Sequence, residues 1–290
     1  MRLAIFTAVL AALPALAADH WLVGGIDGLS PDGLKRAKAP HMQRLMREGA
    51  VSWTMRAVMP TSSSPNWASM IMGTGPEQHG VTSNDWQPDK HGISPVVRGP
   101  GGIFPTMFAL LRQQRPDARM AVFYDWDGFG RLVEPGIAEV QKHVKGPEAA
   151  ARAAADWIRA HRPHLCFLQL DHADAAGHKS GWDSEDYVRA VELADRLAGE
   201  LLAALDAAGI RERTVVMVTS DHGGLGKKHG GETMAEIEIP FVLAGPGIRR
   251  GHAIQAPSNV YDIAPTVIRI LGLEPHPAWT GRPVTEALLP

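Results

Sequence analysis

The sequence predicts an α/β protein of three layers, α/β/α, built on a mostly parallel central sheet. Two observations carry this prediction. Short continuous apolar runs recur along the chain, and helix-like segments separate them. Runs of about 4–8 apolar residues suit strands buried on both faces. Regular alternation of strand and helix suits parallel strands joined by helices that cover the sheet. Open sheets of this kind bind ligands at the carboxyl ends of their strands. Chemistry is therefore expected at those ends.

The first run, residues 21–26, predicts a strand. Residues 30–48 predict a helix, because Ser30-Pro31-Asp32 offers a cap with proline in the first turn. Residues 87–102 are rich in Gly and Pro and predict a long surface loop, which could overhang a site. Residues 105–114 predict a helix, residues 121–124 a strand, and residues 148–161 an Ala-rich helix. A third strand is expected at Leu165–Leu170. The amphipathic segment 184–208 comes next as a helix, with Gly209 as its stop. Thr214–Thr219 and residues 240–244 complete the predicted strands, and residues 263–271 form the last predicted helix. There is no internal repeat.

Composition narrows the function classes. The chain has 290 residues, is 45% hydrophobic and carries a formal net charge of −2. It contains no long basic run, so there is no electrostatic case for a nucleic-acid or membrane surface. The single cysteine, Cys166, excludes an intramolecular disulfide and sits in an apolar run that predicts a buried strand residue. Residues 1–18 read as an export signal that is removed. Arg2 begins it, an apolar stretch comes after, and Ala15-Leu16-Ala17 gives a small-residue cleavage pattern. Residues 19–290 are then expected to form a single catalytic domain, periplasmic or secreted, with no membrane span left after processing.

Three predicted strands run into acidic or histidine residues. Residues 21–26 lead into Asp27-Gly28. Leu165–Leu170 leads into Asp171-His172-Ala173-Asp174 and, after one turn, His178. Thr214–Thr219 leads into Ser220-Asp221-His222-Gly223, with His229-Gly230-Gly231 close behind. Carboxylate and imidazole are ligands that zinc accepts. Taken singly, each has an ordinary reading as a turn residue, a helix cap or a surface histidine. Their coincidence at strand ends is the signal. Asp27, Asp174, His178, Asp221, His222 and His229 make six ligands, enough for two ions with open positions. The segment Pro60 to Met70 adds a candidate nucleophile. Ser64 as a helix cap and Pro65 in the first turn would place Ser63 at a helix N-terminus, where an anion is favoured. A plain capped helix would show the same residues.

The ordered blocks resemble the alkaline phosphatase superfamily, and most closely its type I phosphodiesterase/nucleotide pyrophosphatase branch with its small bacterial members. The blocks are Gly25-Ile26-Asp27-Gly28-Leu29, Pro60 to Asn66, Gly73 to Gly80, Asn84, Asp174 to His178, Ser220 to Gly223, His229-Gly230-Gly231 and Asp262 to Thr266. The resemblance implies an alkaline phosphatase-like fold and two divalent metal ions, with Zn2+ expected. Asp27, Asp221 and His222 would hold one ion, and Asp174, His178 and His229 the other. Ser63 would be the nucleophile, forming a phosphoseryl intermediate that water then opens. Asn84 would donate to a phosphate oxygen. His79 and His172 match no ligand position, and His79 reads as packing or turn structure.

The expected substrate is a small phosphate ester. Phosphodiesterase/nucleotide pyrophosphatase activity is the leading expectation. A phosphomonoesterase or phosphonate hydrolase on the same metal core is an alternative, with Arg56 and Arg98 the nearest arginines in sequence to the nucleophile block. A catalytically inactive metal- or phosphate-binding protein is the alternative of another class. Nucleotide-cleaving relatives often have an aromatic residue after the nucleophile, where this chain has Ser64. Trp67, Trp86, Tyr124, Trp126 or Trp182 would have to supply a stacking platform instead. The sulfatase motif is absent, because Trp67 replaces its arginine.

Overall fold

The computed structural model describes residues 18–290. The export signal read at residues 1–18 therefore lies outside the described residues, apart from Ala18. The strands are β1 (His20–Ile26), β2 (Ala50–Arg56), β3 (Met120–Tyr124), β4 (Val140–His143), β5 (Leu165–Leu170), β6 (Thr214–Thr219), β7 (Glu238–Ala244) and β8 (His252–Ala253). They form one sheet in the order β4-β3-β5-β1-β6-β7-β2-β8. Among the described residues, only β7 runs against its neighbours. The remaining pairs are parallel. The expected mostly parallel sheet is what the chain forms.

Register explains the three layers. Trp21 lies opposite Leu165 on one side and Val215 on the other. All three point into one core, with Trp67, Phe108 and Phe167. The next rung, Leu22 with Cys166 and Val216, points into the opposite core. Side chains on a strand alternate faces, so each apolar run feeds both cores at once. Helices Ser63–Met72, Met107–Gln114 and Ile263–Ile270 close the first core. Helices Pro40–Glu48, Pro147–His161 and Glu185–Ala207 close the second.

Local differences from the sequence reading have local causes. Residues 30–48 form two helices, Pro31–Arg36 and Pro40–Glu48. Pro40 has no N–H to continue a helix, and it keeps Ala39 out of helical geometry. Ser62, and not Ser64, occupies the cap position of the helix Ser63–Met72, so Ser63 is its first residue. Strands β2, β4 and β8 escaped the sequence reading. β4 is Val-Gln-Lys-His at the sheet edge, half-buried and partly exposed, and carries no apolar run. The long helix does end as expected, with Gly209 left-handed at φ +69° just beyond it. Cys166 is buried and free.

Candidate metal centre and active site

β1, β5 and β6 lie side by side, with β1 in the middle. Their carboxyl ends therefore deliver Asp27, Asp174 and Asp221 to one place, although 194 positions separate the first from the last (221 minus 27). Asp174 and His178 lie one turn apart on the helix His172–Ser180, which starts directly after β5. Gly28 is needed at the junction for two reasons. Its φ is +68°, and a Cβ there would come within 3.0 Å of the Asp174 backbone.

The structure brings the six candidate ligands into the two expected groups. Asp27, Asp221 and His222 form one, and Asp174, His178 and His229 form the other. His222 Nε2 lies 3.4 Å from Asp27 Oδ1 and 3.3 Å from Asp221 Oδ2. His178 Nε2 lies 3.3 Å from Asp174 Oδ2, and His229 Nε2 lies 3.7 Å from Asp174 Oδ1. The rings of His222 and His229 stack with centroids 3.8 Å apart, so the groups are neighbours.

The outer nitrogens fix the tautomers. His222 Nδ1 contacts the Gly223 carbonyl at 2.8 Å, His178 Nδ1 that of Lys227 at 3.0 Å, and His229 Nδ1 that of Thr61 at 2.9 Å. A carbonyl only accepts, so each Nδ1 carries the proton and donates it. Each Nε2 then presents a lone pair to a carboxylate oxygen. With the carboxylates ionised, two acceptors face one another at 3.3–3.7 Å with nothing to attract them. A cation between them resolves the conflict. Ligands about 2.1 Å from a tetrahedral ion lie about 3.4 Å from each other, in line with these spacings. Asp27 Oδ1, Asp174 Oδ1 and Asp221 Oδ2 are also buried without a hydrogen bond among the described residues, and these are oxygens that face the imidazoles. Orphaned buried carboxylate oxygens are rare unless a metal satisfies them. The donor set therefore fits two divalent ions.

Electrostatics agree. Burial, and then the neighbouring carboxylates, pushes Asp27 well above the usual carboxylate range and Asp174 up to about 8. Burial pushes Asp221 up to about 6. Burial holds His222 down at about 4, and burial with the adjacent His222 holds His229 at about 4. Neutral imidazole is the form that coordinates metal.

Several supporting residues carried no sequence signal for the parts they play. Trp67 Nε1 and Gln169 Nε2 donate to Asp27 Oδ2 at 3.0 and 3.3 Å. Thr61 accepts from Gly230 N–H and donates to the Gly231 carbonyl, clamping the His229 loop to the Ser63 segment. Asp171 lies with Asp27 and Asp174 in a third acidic group, and burial raises it to about 6. For Asp171 a signal did exist: its position at the end of β5, the same one that marks Asp27 at the end of β1.

Ser63 Oγ lies 3.3 Å from His222 Nε2. Asn84 Oδ1 accepts from Ser64 N–H at 2.8 Å, which turns the carboxamide toward the helix N-terminus and leaves its Nδ2 donors without a partner among the described residues. Asn66 pins the preceding loop by accepting from Val58 N–H and donating to the carbonyls of Pro60 and Ser62. Trp67, Trp86, Tyr124 and Trp182 are buried, and Trp126 alone of the five aromatics is half-buried. His79 is buried between Ser69 Oγ and Val81 N–H, a packing residue as expected.

The family model described as type I phosphodiesterase / nucleotide pyrophosphatase matches residues 22–227. The chain belongs to this family. Among curated members, the human bis(5'-adenosyl)-triphosphatase (Homo sapiens) is 27% identical over 211 residues, covering 70% of this chain and 47% of that one. Ectonucleotide pyrophosphatase/phosphodiesterase family member 1 of Mus musculus is 24% identical over 225 residues, covering 72% of this chain and 25% of that one. The chain thus spans a quarter to a half of the length of these phosphodiesterase-family relatives. Among solved structures, murine ectonucleotide pyrophosphatase/phosphodiesterase 5, an inactive variant in complex with AMP, superposes with a TM-score of 0.76 at 18% identity. That match covers 93% of this chain and all of the other. A 2-O GAG sulfatase superposes with a TM-score of 0.73 at 15% identity, over 93% of this chain and 74% of that one. These likenesses show the phosphodiesterase-family fold, alkaline phosphatase-like.

Proposed function

We propose that this chain is an exported phosphodiesterase/nucleotide pyrophosphatase that uses Ser63 as nucleophile beside two divalent ions, zinc in the first instance. One observation carries the reading most: three histidines hold Nε2 lone pairs against orphaned carboxylates, and one of those nitrogens is 3.3 Å from Ser63 Oγ. Asp27, Asp221 and His222 would hold one ion, and Asp174, His178 and His229 the other. Bound there, the ions would lower the pKa of the serine hydroxyl and neutralise charge on phosphoryl oxygens.

The chain's own residues supply position and polarity. Ser63 is the first residue of its helix, where backbone N–H groups and the helix dipole favour an anion. Its Oγ forms a bond to phosphorus as the ester oxygen leaves with its electron pair and takes up a proton. Asn84, oriented by Ser64 N–H, offers its Nδ2 protons to a non-bridging oxygen whose charge grows in the transition state. Water then cleaves the phosphoserine, returning the hydroxyl and releasing the phosphorylated product. Residues 1–18 would export the chain, and residues 19–290 would form the catalytic domain. No helix among the described residues is long and apolar enough to cross a membrane.

The test is metal content and ester hydrolysis on the processed protein. About two zinc ions per chain are expected, with faster turnover of bis-p-nitrophenyl phosphate than of p-nitrophenyl phosphate. Ser63→Ala should lower kcat by roughly 10⁴–10⁶-fold while retaining metal. Full metal loading with no turnover of either ester would replace this reading with a binding protein. A faster monoester would make it a phosphomonoesterase.

A further inference from the structure

Arg131 is a cation bonded to the backbone of Asn84, whose side chain meets the N-terminus of the Ser63 helix. It lies in the turn Asp127–Leu132 after β3, far in sequence from the nucleophile block. Its guanidinium is fixed on three sides. Nη2 donates to the Asn84 carbonyl at 3.0 Å, Nε donates to the Gly128 carbonyl at 3.4 Å, and Cζ stands 6.0 Å from the Trp126 ring centroid. Arg131 makes no ion pair among the described residues. The acid of its own turn, Asp127, faces His143 at 3.7 Å instead. A half-buried arginine without an ion pair keeps its permanent charge and its remaining donors for an anion.

The turn is also tied to the metal centre from the other direction. Gln169 Oε1 accepts from Asp125 and Trp126 N–H at 3.2 and 3.0 Å, while its Nε2 donates to Asp27 Oδ2. The segment leading into the turn is therefore tied to Asp27 through Gln169, and Arg131 itself is tied to Asn84.

Charge shows what it is for. Three candidate carboxylate ligands against two divalent ions leave one net positive charge at the centre. The single negative charge of a simple diester would match it and needs no further cation. Any additional phosphoryl charge does. We propose that Arg131 binds this additional charge, making it a specificity-determining residue for phosphate esters that carry more than one negative charge near the scissile phosphorus. This rests on the phosphodiesterase reading above. Two sources share the chemistry: the second phosphoryl group of a phosphoanhydride, and the dianion of a terminal monoester.

Wild type, Arg131→Gln and Arg131→Lys are compared on bis-p-nitrophenyl phosphate, p-nitrophenyl phosphate and adenosine diphosphate. In Arg131→Gln, kcat/KM for a multiply charged substrate relative to the diester should fall at least tenfold, mainly through KM. Arg131→Lys should keep that ratio within about threefold. The substrate whose ratio falls identifies the source of the charge. Equal fractional losses on all three esters would show that Arg131 only holds Asn84 in place, and would overturn the proposal, as would an unchanged ratio. Binding separates this from the parent reading. On zinc-loaded Ser63→Ala protein, adding Arg131→Gln should weaken the Kd for inorganic phosphate or pyrophosphate at least tenfold by titration calorimetry. If the wild type hydrolyses no ester, the phosphodiesterase reading fails, and this titration still decides whether Arg131 binds phosphoryl oxygens.

Discussion

The side chains around the metal groups hold the candidate ligands as much as the ligands hold one another. Asp27 is aimed by Trp67 and Gln169, which occupy one carboxylate oxygen and leave the other facing His222. Trp67→Phe removes the indole donor while keeping most of the packed ring. Zinc affinity at that position should weaken by roughly 10–100-fold, the usual effect of losing an outer hydrogen bond to a ligand. Metal-buffered titration measures it, and an unchanged affinity would reduce Trp67 to a core residue. His79 gives a prediction of another kind. Burial depresses it to about 3. A base whose folded pKa lies below its unfolded value supports the fold fully above about pH 6.5, and loses that support as pH falls toward 3. His79→Gln should therefore shrink the loss of unfolding free energy between pH 7 and 4.5 by about 2–3 kcal/mol, read from urea melts. The same pH loss in both proteins would mean that His79 titrates as it does unfolded.

At the scale of elements, the junctions where strands give way to turns and helices carry the candidate ligands. β1 turns at Gly28, whose left-handed φ and closeness to Asp174 let one strand end pass beneath the helix from the next. Trp182 Nε1 and Tyr187 Oη both donate to the Gly28 carbonyl, so the turn is fixed from the far side as well. Gly28→Ala should cost about 1–3 kcal/mol from backbone strain and push Asp174 away from His229. Thermal melts should show the stability loss in the metal-free protein, and metal analysis should show one ion lost before the other. A variant with full stability and two tightly bound ions would contradict this account of the turn. Helix and strand ends were also where the sequence was hardest to read. Pro40 divides one expected helix into two, and Ser62 takes the cap position expected for Ser64. Both outcomes depend on backbone geometry at one residue, which hydrophobic periodicity does not record.

At the scale of the whole molecule, the candidate metal centre is a fold-wide liability when empty of cations. Acids whose folded pKa values are raised destabilise the fold increasingly as pH climbs from about 4 through those values. Asp221 reaches its value at about 6 and Asp174 at about 8, so the metal-free chain is penalised most near pH 8. Ions bound at the two groups would remove the penalty. Chelation should lower Tm by roughly 10 °C at pH 8 and by less at pH 5. A gap that narrows as pH rises, in scanning calorimetry, would contradict this electrostatic account.

The amino-acid sequence by itself determined the layers and the candidate ligands. Apolar runs such as Leu165–Leu170 can only be buried on both faces, and Asp and His at their ends stand out by type and place. It did not determine β4, whose Val-Gln-Lys-His acquires strand geometry only by pairing with β3. Nor did it determine the tautomers of the three histidines, the aim of Asn84 or the approach of Arg131 to it. Those depend on backbone carbonyls and N–H groups from distant segments, and nearly every residue type carries the same ones. Their positions exist only once the sheet has set β1 between β5 and β6, so tertiary structure alone decided them.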